Sequence, residues 1–220
     1  MTMPAFPTIS GPVLLPGPAG LLEVHVDLPE DDVAALPLVA IVCHPLSTEG
    51  GTMHNKVVTM TARALRELGA STVRFNFRGV GQSEGVFDEG KGELDDLRAV
   101  AAWVRQQRAD AVLWLAGFSF GAYVALRVAA ELQPAMLVTV APPAGRWDFA
   151  SITLPTCPWL VIQGEADEIV DPQAVYDWLK KTKAQAELVR MPDTSHFFHR
   201  KLIDLRGAIK NGVRPYLPNG

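Results

Sequence analysis

The sequence predicts an α/β fold: a mostly parallel central sheet with helices on both faces and an antiparallel N-terminal edge. Three observations predict it. Short apolar segments alternate along the chain with longer segments whose apolar residues recur at helical spacing. Such alternation is typical of parallel strands joined by crossover helices. Near the N-terminus, apolar and polar residues instead alternate one by one, which is typical of an antiparallel strand with one buried face.

The antiparallel edge is predicted from two extended segments, residues 8–15 and 21–28. In the second segment, Leu22, Val24 and Val26 alternate with polar residues. This period of two belongs to a strand with one buried face. We therefore expect these two segments to border the sheet.

The remaining strands are predicted from apolar runs. Residues 38–43 are apolar throughout, as expected for a strand buried on both faces. Similar runs occupy 71–77, 111–116, 135–141, 159–163 and 186–190. Helical spacing is found at 56–68, 93–108, 120–132, 173–181 and 199–210. The third of these segments is apolar almost all round, which predicts a buried helix.

Composition and charge limit the classes of protein to which the chain can belong. Its 220 residues suit a single domain spanning residues 1–220, and neither a repeat nor a linker divides it. The net charge is −4 without a basic stripe, so we expect no nucleic-acid partner. There is no apolar run of membrane-spanning length and no secretory signal pattern, so we expect no membrane partner and a cytoplasmic location.

Two cysteines, Cys43 and Cys157, lie in apolar, strand-like runs. We expect both to be buried thiols, as is usual in a reducing compartment, rather than a disulfide. The cysteines and histidines lack the paired spacings of structural zinc, so we expect neither a metal nor a cofactor. The glycine-rich segment 85–92 lacks the closing Ser or Thr of a phosphate-binding loop and is interpreted as a surface turn.

One motif carries chemistry. Residues 117–121 read Gly-Phe-Ser-Phe-Gly between a predicted strand and a predicted helix. This is the pattern of a nucleophile elbow, a sharp turn that lifts a serine hydroxyl out of the sheet and needs glycine on both sides. The alternative is a tight turn that merely contains a serine. We predict that Ser119 is a nucleophile.

A serine hydroxyl needs a general base, and only His196 and His199 follow the elbow. His196 lies in a loop after the last predicted strand, where sites form in open α/β sheets. His199 falls at the start of the last predicted helix, where we expect it to cap the helix or face solvent. We therefore predict His196 as the base.

The acid that orients this base is expected after the strand at 159–163. Four carboxylates follow that strand, and their spacing alone does not choose among them: Glu165, Asp167, Glu168 and Asp171.

Negative charge on a carbonyl oxygen under attack needs two hydrogen-bond donors. The backbone N–H of Phe120, which follows the nucleophile, is expected to be one. The other is expected after the strand at 38–43, where Leu46 fits best because Pro45 has no N–H.

Nearby aromatic residues either line a substrate pocket or belong to the core. The candidates for substrate contact are Phe118, Trp147 and Phe197.

Together these residues resemble the α/β-hydrolase superfamily over nearly the whole chain. His44-Pro45 stands where members usually carry His-Gly, and residues 76–83 match their Asp/Asn-x-Arg-Gly-x-Gly-x-Ser turn. Residues 164–170 are similar to the acid loop Gly-x-x-Asp-x-x-Val, with Gln163 replacing the histidine that usually precedes it. The resemblance implies that Asp167 is the acid.

Residues 44–46 and 50–56 resemble a small bacterial subfamily akin to dienelactone hydrolases. Those relatives can carry a cysteine nucleophile, so Ser119 argues against a dienelactone substrate. Members of the superfamily often carry a lid after the sixth strand. The short stretch 142–158 implies that a lid domain is absent and that the cleft is open.

The expected activity is the transfer of an acyl group to water, with a small-molecule ester or thioester as substrate. A carboxylesterase is the first hypothesis, followed by a thioesterase and then a peptidase, because all three use the same machinery. A non-catalytic binding module stays open as well, because fold does not fix function.

Overall fold

The computed structural model describes residues 2–219. Within them, one sheet contains the strands β1 (Gly11–Gly17), β2 (Gly20–Asp27), β3 (Leu38–Cys43), β4 (Ser71–Phe75), β5 (Val112–Phe118), β6 (Met136–Val140), β7 (Trp159–Gly164) and β8 (Glu187–Met191). The α-helices are α1 (Lys56–Arg66), α2 (Gly92–Gln107), α3 (Phe120–Leu132), α4 (Pro172–Thr182) and α5 (Leu202–Val213).

The strand order is β1-β2-β4-β3-β5-β6-β7-β8. The first two strands form a hairpin that pairs antiparallel with β4, while all pairings from β4 to β8 are parallel. The predicted mostly parallel sheet with an antiparallel N-terminal edge is therefore confirmed.

Apolar side chains cover both faces of the sheet, as the continuous apolar runs predict. In β3, Val39 and Ile41 join a core that includes residues of α2, α3 and α4. Ala40 and Val42 point the other way and join a core with α1 and α5. Because successive side chains of a strand point to opposite faces, a strand between two helical layers must be apolar throughout.

One helix begins later than predicted. The last helix was expected from His199, but α5 begins at Leu202. Phe198 and Arg200 have φ values of 53° and 58°, in the left-handed region, so the chain cannot enter a right-handed helix there. His199 is therefore exposed in a turn before the helix and does not cap it.

The two cysteines differ in environment. Cys43 is buried at the end of β3, as predicted, whereas Cys157 is half-buried in a bend before β7. Pro158 separates that bend from the strand, so the prediction of a strand-like run at Cys157 is wrong. Both thiols are free, and burial raises the pKa of each.

Among residues 2–219, the helices are too short or too polar to cross a bilayer.

Candidate active site

Ser119 lies at the sharp turn between β5 and α3. Its φ of 52° falls in the left-handed region, which a residue with a side chain rarely adopts. A Cβ atom at Gly117 would lie 2.2 Å from the carbonyl oxygen of Gly121. One at Gly121 would lie 2.3 Å from the carbonyl oxygen of Cys43. The spacing Gly-x-Ser-x-Gly thus follows from backbone groups that pass too close for any side chain.

The structure brings Ser119, His196 and Asp167 together from three different loops. His196 Nε2 lies 3.1 Å from Ser119 Oγ, and His196 Nδ1 lies 2.8 Å from Asp167 Oδ2. The carboxylate can only accept, so Nδ1 carries the proton and Nε2 is left to accept the serine proton. The side chains of His196 and Asp167 are 3% and 0% exposed.

Both oxygens of the Asp167 carboxylate are fixed. Oδ1 accepts the backbone N–H groups of Ile169 and Val170 at 2.9 and 2.7 Å. Oδ2 accepts His196 and also Gln163 Nε2, the latter at 3.1 Å. Burial acts to raise the pKa of Asp167, but the hydrogen bonds from His196 and from the two backbone groups outweigh it and hold the pKa below its usual range.

The other carboxylates of the acid loop have different surroundings. Glu165 is exposed, and Asp171 accepts the Gln173 N–H at the start of α4. Glu168 Oε2 accepts the backbone N–H of His196 at 3.1 Å and so helps to hold the histidine loop. Sequence reasoning missed this contact of Glu168, since nothing in the local pattern connects it to a residue 28 positions away.

The two predicted oxyanion donors both border the cavity beside Ser119. Neither the Phe120 N–H nor the Leu46 N–H donates a hydrogen bond to any group of residues 2–219. The Leu46 carbonyl accepts the N–H groups of Glu49 and Gly51 at 3.1 and 3.0 Å, which closes a tight turn after β3. Two uncommitted backbone donors next to a serine hydroxyl are what a developing oxyanion requires.

His44 holds this turn in place, a role that the sequence did not reveal. Its Nδ1–H donates to the Pro45 carbonyl at 2.6 Å, and its Nε2 accepts the Phe77 N–H at 3.0 Å. The side chain therefore connects the loop after β3 to the loop after β4. Burial lowers the pKa of His44 to about 4, against the opposing effect of the hydrogen bond to Pro45, so the ring is neutral at pH 7.

A cavity of about 640 Å³ opens beside Ser119. Its walls include Trp147 and Phe197, two of the three aromatic candidates for substrate contact. Phe118 is not among the lining residues. It is 1% exposed and belongs to the core beneath, where its ring centroid lies 5.0 Å from that of His196. Strand alternation turns Phe118 away from the cavity, so the structure does not support its expected substrate contact.

The connection from β6 to β7 borders this cavity without covering it. In the described chain, residues 141–158 contain one isolated bridge, between Ala144 and Trp147, and no helix. Arg146 Nη1 donates to the Ile169 carbonyl at 2.8 Å, which attaches this connection to the acid loop. The lid domain found in larger hydrolases is thus absent between β6 and β7.

Comparison with known proteins identifies relatives of the whole chain. A family model described as an alpha/beta hydrolase domain matches residues 47–206. A structure from Xanthomonas campestris, described as an α/β serine hydrolase without lid, is 70% identical, with 99% of each chain covered and a TM-score of 0.96. An alpha-beta serine hydrolase homologue from Coxiella burnetii is 44% identical, with 95% of this chain and 100% of that chain covered and a TM-score of 0.91.

A dienelactone hydrolase from Anabaena variabilis shares the fold at 17% identity, with 95% of this chain and 98% of that chain covered and a TM-score of 0.78.

Proposed function

Because the chain belongs to the α/β-hydrolase family, we propose that it is a serine hydrolase that cleaves small carboxylic esters through an acyl-enzyme intermediate. One observation carries this proposal. A continuous series of hydrogen bonds runs from Asp167 through His196 to Ser119 and ends at an open cavity.

In the first half of the reaction, His196 Nε2 takes the proton of Ser119 Oγ as that oxygen attacks the ester carbonyl carbon. The negative oxygen that forms is held by the N–H groups of Phe120 and Leu46. His196 then gives the proton to the leaving alcohol, and the acyl group remains on Ser119. Asp167 stabilises the positive imidazole ring while it carries the proton.

In the second half, His196 Nε2 removes a proton from water, which attacks the acyl-enzyme carbonyl. The tetrahedral intermediate collapses, the acid leaves, and the proton returns to Ser119 Oγ. These steps require no cofactor.

The size of the cavity favours a small ester, and its lining is mixed, since Glu49, Asn55 and Arg146 border it together with apolar side chains. A volume of about 640 Å³ falls within the range of small-molecule sites. Trp147, Ile169 and Phe197 supply apolar walls near Ser119. A thioester would fit the same machinery, so the leaving group has to be distinguished by experiment.

A fluorophosphonate probe tests whether Ser119 is an activated nucleophile. We expect wild-type protein to be labelled at Ser119, and Ser119→Ala with an unchanged melting temperature to remain unlabelled. Absence of labelling on folded wild-type protein would favour a non-catalytic binding module instead. A panel of nitrophenyl esters, thioesters and lactones of increasing acyl length then ranks the substrate classes, and highest kcat/KM on a class other than short esters would overturn the ester proposal.

A further inference from the structure

Gln163 contacts the carboxylate of Asp167 from the buried interior of the protein. It lies near the end of β7 and is completely buried. Its Nε2 donates to Asp167 Oδ2 and to the Gly164 carbonyl, both at 3.1 Å. Asp167 Oδ2 is the same oxygen that accepts His196 Nδ1–H at 2.8 Å. Gln163 and His196 therefore share one acceptor atom.

The chemistry of the neighbours fixes the orientation of the Gln163 amide. Both groups near Nε2, the Asp167 carboxylate and the Gly164 carbonyl, can only accept. A rotated amide would place Oε1 against these two acceptors. Oε1 itself is buried and receives no hydrogen bond from residues 2–219, so the orientation is fixed by the two acceptors near Nε2. The side chain thus presents a donor to Asp167.

The fold itself does not call for a polar residue at this position. Gln163 lies on the same face of β7 as Val161, two residues earlier. Val161 belongs to the apolar core together with Val170 of the acid loop and Val175 of α4. An apolar side chain of similar size would match these surroundings. The polarity of Gln163 is accounted for by its contact with Asp167.

We propose that Gln163 is a positioning residue that acts on the reaction through Asp167. It holds the Oδ2 atom in place for His196, and it draws part of the carboxylate charge toward its own N–H and away from the imidazole. This inference rests on the proposed hydrolase function, since it concerns the same acid and base.

Removing the donor has two separable consequences. The carboxylate is held less firmly, so the imidazole is oriented less well, and kcat falls about tenfold while KM is nearly unchanged. In addition, the full charge of Oδ2 then faces the imidazole and favours its protonated form. The acidic limb of the kcat/KM profile, which reports protonation of the free base, therefore moves upward by about 0.5 pH unit.

The other charged groups around His196 stay unchanged in such a variant. Glu168 holds the His196 backbone N–H from the acid loop, and Arg146 borders the same cavity from the connection between β6 and β7. A shift of the acidic limb therefore reports the Asp167 contact.

Three variants test the proposal. Gln163→Met keeps the size of the side chain and removes the donor. Gln163→Glu keeps the shape and donates only while its carboxyl group is protonated. Gln173→Met is the matched control, because Gln173 Nε2 donates to Asp177 Oδ1 at 2.8 Å on the exposed side of α4. Each variant is first compared with wild type by its melting temperature.

We expect Gln163→Met to show a kcat about tenfold lower than wild type and an acidic limb of kcat/KM shifted to higher pH. Gln173→Met should behave as wild type. The activity of Gln163→Glu relative to wild type should fall as pH rises, because its ionised carboxylate would repel Asp167. This ratio keeps the test valid even where Gln163→Met folds poorly. Two results would overturn the proposal. One is a Gln163→Met variant whose kcat and acidic limb are both unchanged. The other is a loss of kcat in Gln163→Met without a shift of the acidic limb, together with a Gln163→Glu activity, relative to wild type, that does not change with pH.

An NMR titration of the His196 ring separates this proposal from the proposed function. It requires no substrate, so it can be carried out even on a protein that hydrolyses no ester. A higher titration midpoint in Gln163→Met supports the positioning role, and an unchanged midpoint contradicts it.

Discussion

In the proposed mechanism, Ser119 has an acid–base side and an oxyanion side, and the two are built from different kinds of group. On the acid–base side, side chains do the work, and Asp167 accepts four hydrogen bonds. On the oxyanion side, the groups facing the cavity are the backbone N–H groups of Phe120 and Leu46, which have no acceptor among residues 2–219.

This difference separates the groups that take part in the proposed reaction from the residues that hold them in place. In the proposed reaction, the acid–base groups act through one another because they are hydrogen-bonded in a fixed order. The oxyanion donors are available because they are bonded to nothing, and their position is maintained by a residue outside the cavity, His44. Substituting a side chain should therefore disable the acid–base side directly. The oxyanion side should respond only to changes of the backbone or to loss of His44.

The largest effect is expected from His196→Ala on the acid–base side. Removing the base should lower kcat/KM by about 10⁴-fold or more, because the serine proton then has no acceptor. His199→Ala is the matched control, since His199 is three residues away and exposed. Steady-state hydrolysis of a short nitrophenyl ester measures both. If His199→Ala were the inactive variant, the assignment of the base would be wrong.

A smaller effect is expected from Leu46→Pro on the oxyanion side. The φ of Leu46 is −55°, which proline adopts without strain, so this substitution removes the N–H without forcing the backbone, although it also removes the leucine side chain. We expect kcat to fall about 10²-fold to 10³-fold.

Leu46→Ala is the control for this prediction, because it shortens the side chain and keeps the N–H. Its kcat should stay close to wild type. Equal losses in the two variants would show that the side chain of Leu46, and not its backbone, matters to the reaction.

The smallest effect concerns the support of the oxyanion side. The pKa of His44 is about 4 in the folded protein and about 6.5 when unfolded, so the unfolded chain binds the proton more tightly. The resulting stability is complete above pH 6.5 and is lost as pH falls toward 4. Between pH 7.5 and pH 5, the free energy of unfolding should drop by about 2 kcal/mol on this account.

Urea unfolding of wild type and His44→Gln at both pH values measures this loss. Glutamine does not titrate, so the variant should lose about 2 kcal/mol less than wild type over the same interval. The other titratable groups are common to both proteins, so their contributions cancel in the difference. Equal losses would show that His44 does not remain neutral in the folded state.

Local patterns were sufficient for most of the fold. The apolar run 38–43 coincides with β3, and the predicted buried helix 120–132 coincides with α3, because burial on both sides leaves little freedom in composition. The motif around Ser119 was equally informative, since crowded backbone allows only glycine at 117 and 121. Where the constraint was steric and local, the sequence predicted the structure.

The rest depends on contacts between distant segments. The start of α5 was missed because Phe198 and Arg200 adopt left-handed backbone without a glycine to indicate it. In the sequence, Gln163 is visible only as a departure from a family pattern, because its hydrogen bond to Asp167 forms only once β7 and the acid loop are folded. His44 was likewise known only as part of a motif, while its partner Phe77 lies 33 residues away.

The bare connection between β6 and β7 has a kinetic consequence. Residues 141–158 leave the mouth beside Ser119 uncovered, so this segment does not have to move aside before a molecule arrives or a product departs. For the proposed hydrolysis of dissolved esters, we therefore expect this connection to add no opening step before the substrate binds.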